Sequence, residues 1–405
     1  MAVRTISVLE RRARLASRHR IRAGGRAGTV EEAAAAMVAL HGTEPASVYL
    51  SAFARVGRLT VADVDRALYG DRALVKQLAM RRTLFVFPRA TLPVALAGAS
   101  ARVAAEERRV ILRDVAKVGL HDDGPAWLDA AADAVLAALA GGRSATMSEL
   151  RDELPLLGGS MTHGEGRSWA GRSPFAPRIL TLMSARGLIV RGDNRGTWRT
   201  SRPSWIRMED WLGAPVPVVD AGGAHDELVR HWLATFGPGT DRDLQWWLGS
   251  TLGAVRRSLG SIGAVEVDLD GARGYVLADD VEPVDAVDPW AALLPVLDPT
   301  TMGWQERAWY LGDHRAELFD SAGNAGATAW WDGRIVGGWH QSDDGEVVVE
   351  ALEDIGADAR AALHVEADRL TAWLAGVRVG TVYPSPLMRR AAQGDRRRPG
   401  RLPGP

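Results

Sequence analysis

Thr60-Val61-Ala62-Asp63-Val64-Asp65-Arg66-Ala67-Leu68 is the stretch on which the fold turns. It reads as a capped short helix. A Thr hydroxyl meets the backbone N–H three residues on, an acid there returns the bond, and Val61, Val64 and Leu68 fall on one side. The pattern, T-x-x-acid-apolar, returns at Thr146-Met147-Ser148-Glu149-Leu150 and at Thr240-Asp241-Arg242-Asp243-Leu244. After the first match, Gly70-Asp71 makes a turn. A second helix is expected over 72–82, with Leu74 and Leu78 inward and Lys76, Arg81 and Arg82 outward; Thr83-Leu84-Phe85-Val86-Phe87 has strand composition and ends at Pro88. After the second match come a Gly-rich insertion (158–171), a helix over 178–186, and a hairpin of 188–191 with 197–200 that carries Arg191, Arg195 and Arg199. After the third, a helix over 251–259 precedes an acidic hairpin of 265–269 and 274–277. One capping box is a weak signal, but three, each followed by helix and strand pair, predict tandem winged helices.

The remaining chain fits around these copies. The organisation expected is α+β: a basic leading helix and first winged helix (1–90), a helical bridge with the second (91–213), the third (214–284), a small C-terminal β-barrel or β-meander (285–390), and a disordered Pro/Gly/Arg tail (391–405). In the fourth segment, turns at Asn324-Ala325-Gly326, Asp332-Gly333 and Asp344-Gly345 separate strand-like runs. A helix over 358–374 and a final strand over 377–383 follow. The tryptophans, Trp246-Trp247 and Trp330-Trp331 among them, sit at spacings typical of core.

Composition narrows the chemistry. The 405 residues include no cysteine, which removes disulfides, thiolate catalysis, cysteine-bound zinc and iron–sulfur clusters. The 46% hydrophobic content is that of a globular protein, and the formal charge of -1 leaves room for a locally basic face. Only Lys76 and Lys117 are lysines; the other cations are arginines, suited to phosphate. No P-loop, zinc-protease helix, serine elbow or dinucleotide fingerprint occurs, and no metal or cofactor is expected. With neither a signal peptide nor a membrane span in the sequence, a cytoplasmic, monomeric protein is expected.

One polar cluster remains, Leu40-His41-Gly42-Thr43-Glu44-Pro45. Pro45 is a favoured first helical residue, so His41, Thr43 and Glu44 are placed where one helix stops and another starts. Two readings stand side by side. Thr43 or Glu44 caps the following helix, or Gly42 kinks the backbone and turns the cluster outward beside a nucleic-acid surface.

With Met80-Arg81-Arg82-Thr83-Leu84-Phe85, Phe236-Gly237-Pro238-Gly239-Thr240, Asp243-Leu244, Leu297-Asp298-Pro299 and Gly337-Gly338-Trp339, this cluster resembles the bacterial winged-helix DNA glycosylases, the AlkZ/YcaQ-like crosslink-repair family. The resemblance runs from about residue 5 to 390. It implies three tandem winged helices with a C-terminal β-barrel, double-stranded DNA as partner, and excision of alkylated or crosslinked purines. The family's catalytic pair, Q-x-Q or Q-x-D, falls on His41-Gly42-Thr43. Here His41 replaces glutamine, Thr43 replaces glutamine or aspartate, and Glu44 is the nearest carboxylate. Carried over, the resemblance puts the catalytic pair on His41 and Thr43, and the chemistry adds Glu44 as the carboxylate to place a water and steady the cationic sugar; on the helix and wing positions, phosphate contact is expected from Arg72, Lys76, Arg81, Arg82, Thr83, Arg191, Arg195 and Arg199. The alternatives are a noncatalytic winged-helix DNA-binding protein and a sensor whose 158–171 insertion closes over a small ligand.

Overall fold

All three expected capping boxes form. Asp63 N–H donates to Thr60 Oγ1 (3.2 Å) and Thr60 N–H to Asp63 Oδ2 (2.9 Å), and the same reciprocal pair links Thr146 with Glu149 and Thr240 with Asp243. The computed structural model describes residues 3–163 and 171–397, a mixed α+β chain in two compact units. One comprises residues 1–64 and 229–405; the other comprises 65–228. Compactness thus divides the chain at 64/65 and 228/229 rather than between the sequence copies.

In residues 65–228 the second copy is complete. Helix Gly124–Ala138 leads to Ala145, which bridges Trp205. Helices Met147–Glu153 and Ala176–Ala185 follow, then the antiparallel pair Ile189–Asn194 and Pro203–Arg207. Between the two helices the Gly-rich insertion forms a hairpin, Ser160–His163 against Gly171–Pro174; its Gly164 and Glu165 lie outside the described residues. The second wing is longer than expected. Thr197 and Thr200 are not strand residues but shape its loop, where Asn194 Nδ2 donates to both their carbonyls (2.8 Å each). The expected bridge is helical, Ala101–Val118 then Gly124–Ala138. Trp127, Ile111, Val135, Phe175, Ile179 and Met183 are the centre of this unit's main core.

The 72–82 expectation fails. Residues Leu74–Ala79 are a strand paired antiparallel with Thr83–Pro88. Arg81 and Arg82 make the turn, with φ of 53° and 59°. In chain order the first copy runs helix Val30–Ala35, strand Leu40–His41, helix Pro45–Arg55, helix Val61–Asp65 with a π turn Arg66–Gly70, then this hairpin. The helix opened by Thr60 is therefore the second of its pair, whereas those opened by Thr146 and Thr240 are the first.

Within the other unit the third copy repeats the order of the second. Helix Ala221–Phe236, which crosses the boundary, leads to Gly239, bridged to Tyr275; helices Asp241–Leu248 and Leu252–Ser261 precede the hairpin Val265–Leu269 and Ala272–Val276. Its outer edge is taken by Arg4–Thr5, parallel to Val267 and Asp268, and Ile6 joins the core of Val267, Leu269 and Val276.

The C-terminal segment is an open sheet, not a barrel. Ala291–Leu294, Thr328–Trp331, Arg334–Gln341 and Val347–Ala351 lie in that order, each antiparallel to the next. Closure is forestalled because the chain then forms helix Gly356–Leu374, which packs on both edge strands. Residues 377–383 are not a strand. Their backbone is bonded by side chains instead, Val377 O and Val379 N by Gln341 and Val382 N by Glu44. Residues expected to begin the disordered tail belong to helix Pro386–Arg397, and 398–405 lie outside the described residues. Trp232, Trp304 and Trp330 are fully buried, and Trp247 and Trp339 nearly so. No described helix is long and apolar enough to cross a membrane.

Candidate functional site

The polar turn at 41–44 sits at the head of helix Pro45–Arg55, which a fully buried charge network holds in place. Arg55 donates to Asp298 through both terminal nitrogens (2.8 and 2.7 Å) and to Thr300 Oγ1 (2.8 Å), while Ser51 Oγ donates to Asp298 (2.7 Å). Burial opposes the Asp298 charge, yet Arg55 and these bonds hold its carboxyl below the usual range. Thr300 also meets His19 Nδ1 at 2.9 Å. Burial, with Arg55 adding to it, pushes His19 down to about 3, so its ring is neutral at physiological pH. Removing one member of the Arg55–Asp298 pair leaves a buried charge alone, at a cost of about 3–5 kcal/mol.

On that rigid helix the turn does not splay outward as the Gly42 kink would have it. His41 is buried in strand Leu40–His41, Thr43 is exposed, and Glu44 is buried. Glu44 occupies the N-cap position but makes no side-chain cap bond to its own helix. Its Oε1 instead accepts from Thr381 Oγ1 (2.7 Å) and Val382 N–H (2.6 Å). Burial raises the Glu44 pKa, and the bonds from Thr381, Val382 and Tyr383 pull the other way. Glu44 borders a cavity of about 260 Å³ that Trp339, His340, Gln341 and Arg378 also line.

The eight cation-side candidates of residues 65–228 separate by their partners. Arg72 lies over the Trp211 ring (4.3 Å) and donates to Trp211 O (2.7 Å). Arg82 is paired with Glu107, and Arg195 with Glu149 at 2.8 Å. Thr83 Oγ1 reaches Arg81 O within their turn, at 3.4 Å. Lys76 donates to Tyr69 OH (2.6 Å) on the edge of that hairpin. Burial lowers the Lys76 ammonium to about 8, the charge of Arg191 adds to this, and Asp65 opposes it. Arg199 is exposed on the wing loop. Arg191 is half-buried with its guanidinium over the Trp205 ring, 5.4 Å from the centroid.

One residue escaped the sequence reading. Arg202 joins Arg191 and Arg195 in lining a groove of about 560 Å³ between the start of helix Met147–Glu153, helix Ala176–Ala185 and the wing. The signal that hides it is the wing's length, since a hairpin ending at Thr200 leaves Arg202 outside. Among the described residues no three His, Asp or Glu side chains converge as a metal site would require.

Comparison with known proteins agrees with this architecture. A family model described as DNA glycosylase AlkZ-like matches residues 34–373. An interstrand DNA cross-link repair glycosylase of Streptomyces sahachiroi is 27% identical over 186 residues, covering 44% of this chain and 49% of that protein. The chain therefore spans about half the length of that curated relative. The solved structure of the Streptomyces sahachiroi DNA glycosylase AlkZ matches with a TM-score of 0.73 over 93% of this chain and 98% of that one, at 20% identity, a likeness of fold.

Proposed function

The chain belongs to the AlkZ-like family of DNA glycosylases, and from that premise we propose that it hydrolyses the N-glycosidic bond of alkylated or crosslinked purines in double-stranded DNA. It acts as a single chain whose three helix–helix–hairpin copies are winged helices, bounded near 90, 213 and 284 and followed in sequence by the open C-terminal sheet. Hydrolysis of this bond passes through an oxocarbenium-like sugar, and alkylation at N7 already makes the base a good leaving group. The protein's share is to place a water and to put negative potential beside the cationic sugar.

The observation that carries the reading is the Glu44 carboxylate, fixed beside exposed Thr43 at the head of a rigid helix and bordering a cavity. In this proposal Thr43 meets the substrate strand, Glu44 supplies the charge, and His41 supports the turn from beneath. The commitment of Glu44 Oε1 to Thr381 and Val382 favours a second reading, a DNA-binding protein in which Glu44 only anchors residues 381–383.

Duplex DNA carrying N7-alkylguanine, incubated with the protein and then cleaved in alkali, separates the two. Glu44→Gln keeps an oxygen acceptor for Thr381 and Val382 and removes the charge. Abasic sites formed by the parent chain, and lost in Glu44→Gln and Thr43→Val, support the glycosylase. Base release no faster than without protein supports the binder.

A further inference from the structure

The groove of the second copy has a chemistry of its own. Arg191 forms one wall with its guanidinium laid over Trp205, and Arg202 forms another from the far end of the wing loop. Among the described residues neither guanidinium has a carboxylate partner, whereas Arg195 beside them is bonded to Glu149. A second cation crowds the first. Lys76 is close enough for the charge of Arg191 to disfavour its own, and strands Leu74–Ala79 and Ile189–Asn194 pack together through Val75 and Val190. Two like charges partly withdrawn from water, with only Asp65 acting against the effect at Lys76 and no carboxylate bonded to Arg191, are costly unless an anion joins them.

We propose that this groove seats the sugar–phosphate backbone of one DNA strand, with Arg191 and Arg202 each holding a phosphate. The spacing suits that ligand. Arg202 O accepts from Arg195 N–H, so Arg202 lies across the wing from a residue four positions beyond Arg191. Arg191 pairs with Trp205, and Arg202 stands three residues before Trp205 on the other arm of the wing; at about 3.3 Å per residue the two arginines start roughly 10 Å apart along the wing, and their long side chains reach neighbouring phosphates of one strand. The guanidinium fork matches a phosphate's oxygens, and Trp205 holds the Arg191 fork flat while it waits. Such contacts fix register without reading sequence, as an enzyme that meets lesions in any sequence needs. Of the arginines that the sequence places on this wing, the groove gives the role to Arg191, and it adds Arg202.

The proposal rests on the reading that DNA is the partner, and salt dependence tests the two apart. The full chain is titrated with a short undamaged duplex at several salt concentrations, and the slope of log K against log salt is measured. Each lost phosphate contact flattens that slope by about 0.9. Arg191→Met, which keeps the stem over Trp205, and Arg202→Ala are each expected to flatten it by that amount, and the double variant by about twice as much. Arg273→Ala, on the third copy's hairpin, leaves it unchanged. Arg202 is exposed, so its variant folds as the parent does and gives an answer even if Arg191→Met does not. Variant slopes parallel to the parent's overturn the groove while leaving DNA as partner. A parent chain with no salt-dependent binding overturns both.

Discussion

The second and third copies share one order of elements and differ in what their hairpins carry. The second copy's wing carries Arg191, Arg195, Arg199 and Arg202; the third's carries Glu266, Asp268 and Asp270 with a single Arg273, paired to Glu266. The edge of the third hairpin is occupied by Arg4–Thr5. Nearby cations are matched by acids, Arg14 by Glu10 and Asp280, and Arg18 by Asp280. In the second copy the wing is long, and its half-buried guanidinium faces a lysine rather than an acid. The same scaffold thus has its charges paired within the fold in one place and, in the proposal above, turned to an anionic partner in the other. Charge, not topology, separates the two.

The capping acids should break or confirm this contrast most sharply. Buried Asp243 accepts from Thr240 N–H and Oγ1 and also from Gln305 and Glu306 N–H (2.8 Å each), so it ties its helix to a distant loop. Asp243→Ala should cost about 3 kcal/mol or more in urea unfolding, since several buried donors lose their acceptor. Glu149→Ala, at the equivalent and solvent-exposed position, should lower the midpoint far less. Equal losses would mean that the third copy is no more a brace than the second.

Next in size is a pH effect. Lys76 is held down to about 8 against 10.5 for the free side chain. Between those values the unfolded chain keeps a proton that the folded chain has released, so stability rises with pH across that window. Arg11, lowered by burial to about 10, adds only at its upper end. Thermal midpoints of the parent and of Lys76→Met, followed from pH 7.5 to 10, should show a rise in the parent that the variant lacks. Parallel curves would mean that neither burial nor the charge of Arg191 holds the Lys76 ammonium down.

The smallest effects concern affinity. Arg202→Glu should weaken duplex binding by roughly tenfold, alike on every sequence, as expected of a phosphate contact. Asp270→Lys on the third hairpin should change it less than twofold. A gain in affinity from Asp270→Lys would show that the acidic hairpin also faces the DNA.

Much of this fold is legible from local signals. Thr146 and Thr240 with their acids fix two helix starts, and Asp270-Gly271 marks the third hairpin's turn. The first copy defeats the same reading because its turn is made by Arg81 and Arg82 in left-handed conformation, where glycine or asparagine would have announced a hairpin. Leu74 and Leu78, four apart, then pass for a helix face. The site is less legible still. Glu44 occupies the kind of position where Thr146 and Thr240 cap their own helices, yet its bonds run to Thr381 and Val382, more than three hundred residues away. No local pattern encodes a partner at that distance.

The parallel pairing of Arg4–Thr5 with Val267 and Asp268 also governs how the chain is made. Residues 65–228 leave the ribosome complete and have their own core, so they fold while synthesis continues. Strand Arg4–Thr5 must wait, at ribosomal speeds for roughly ten seconds or more, until the strand it pairs with is translated. During that wait Ala13, Leu15 and Ala16 of helix Val8–Arg18 lack the cover they have in the finished fold.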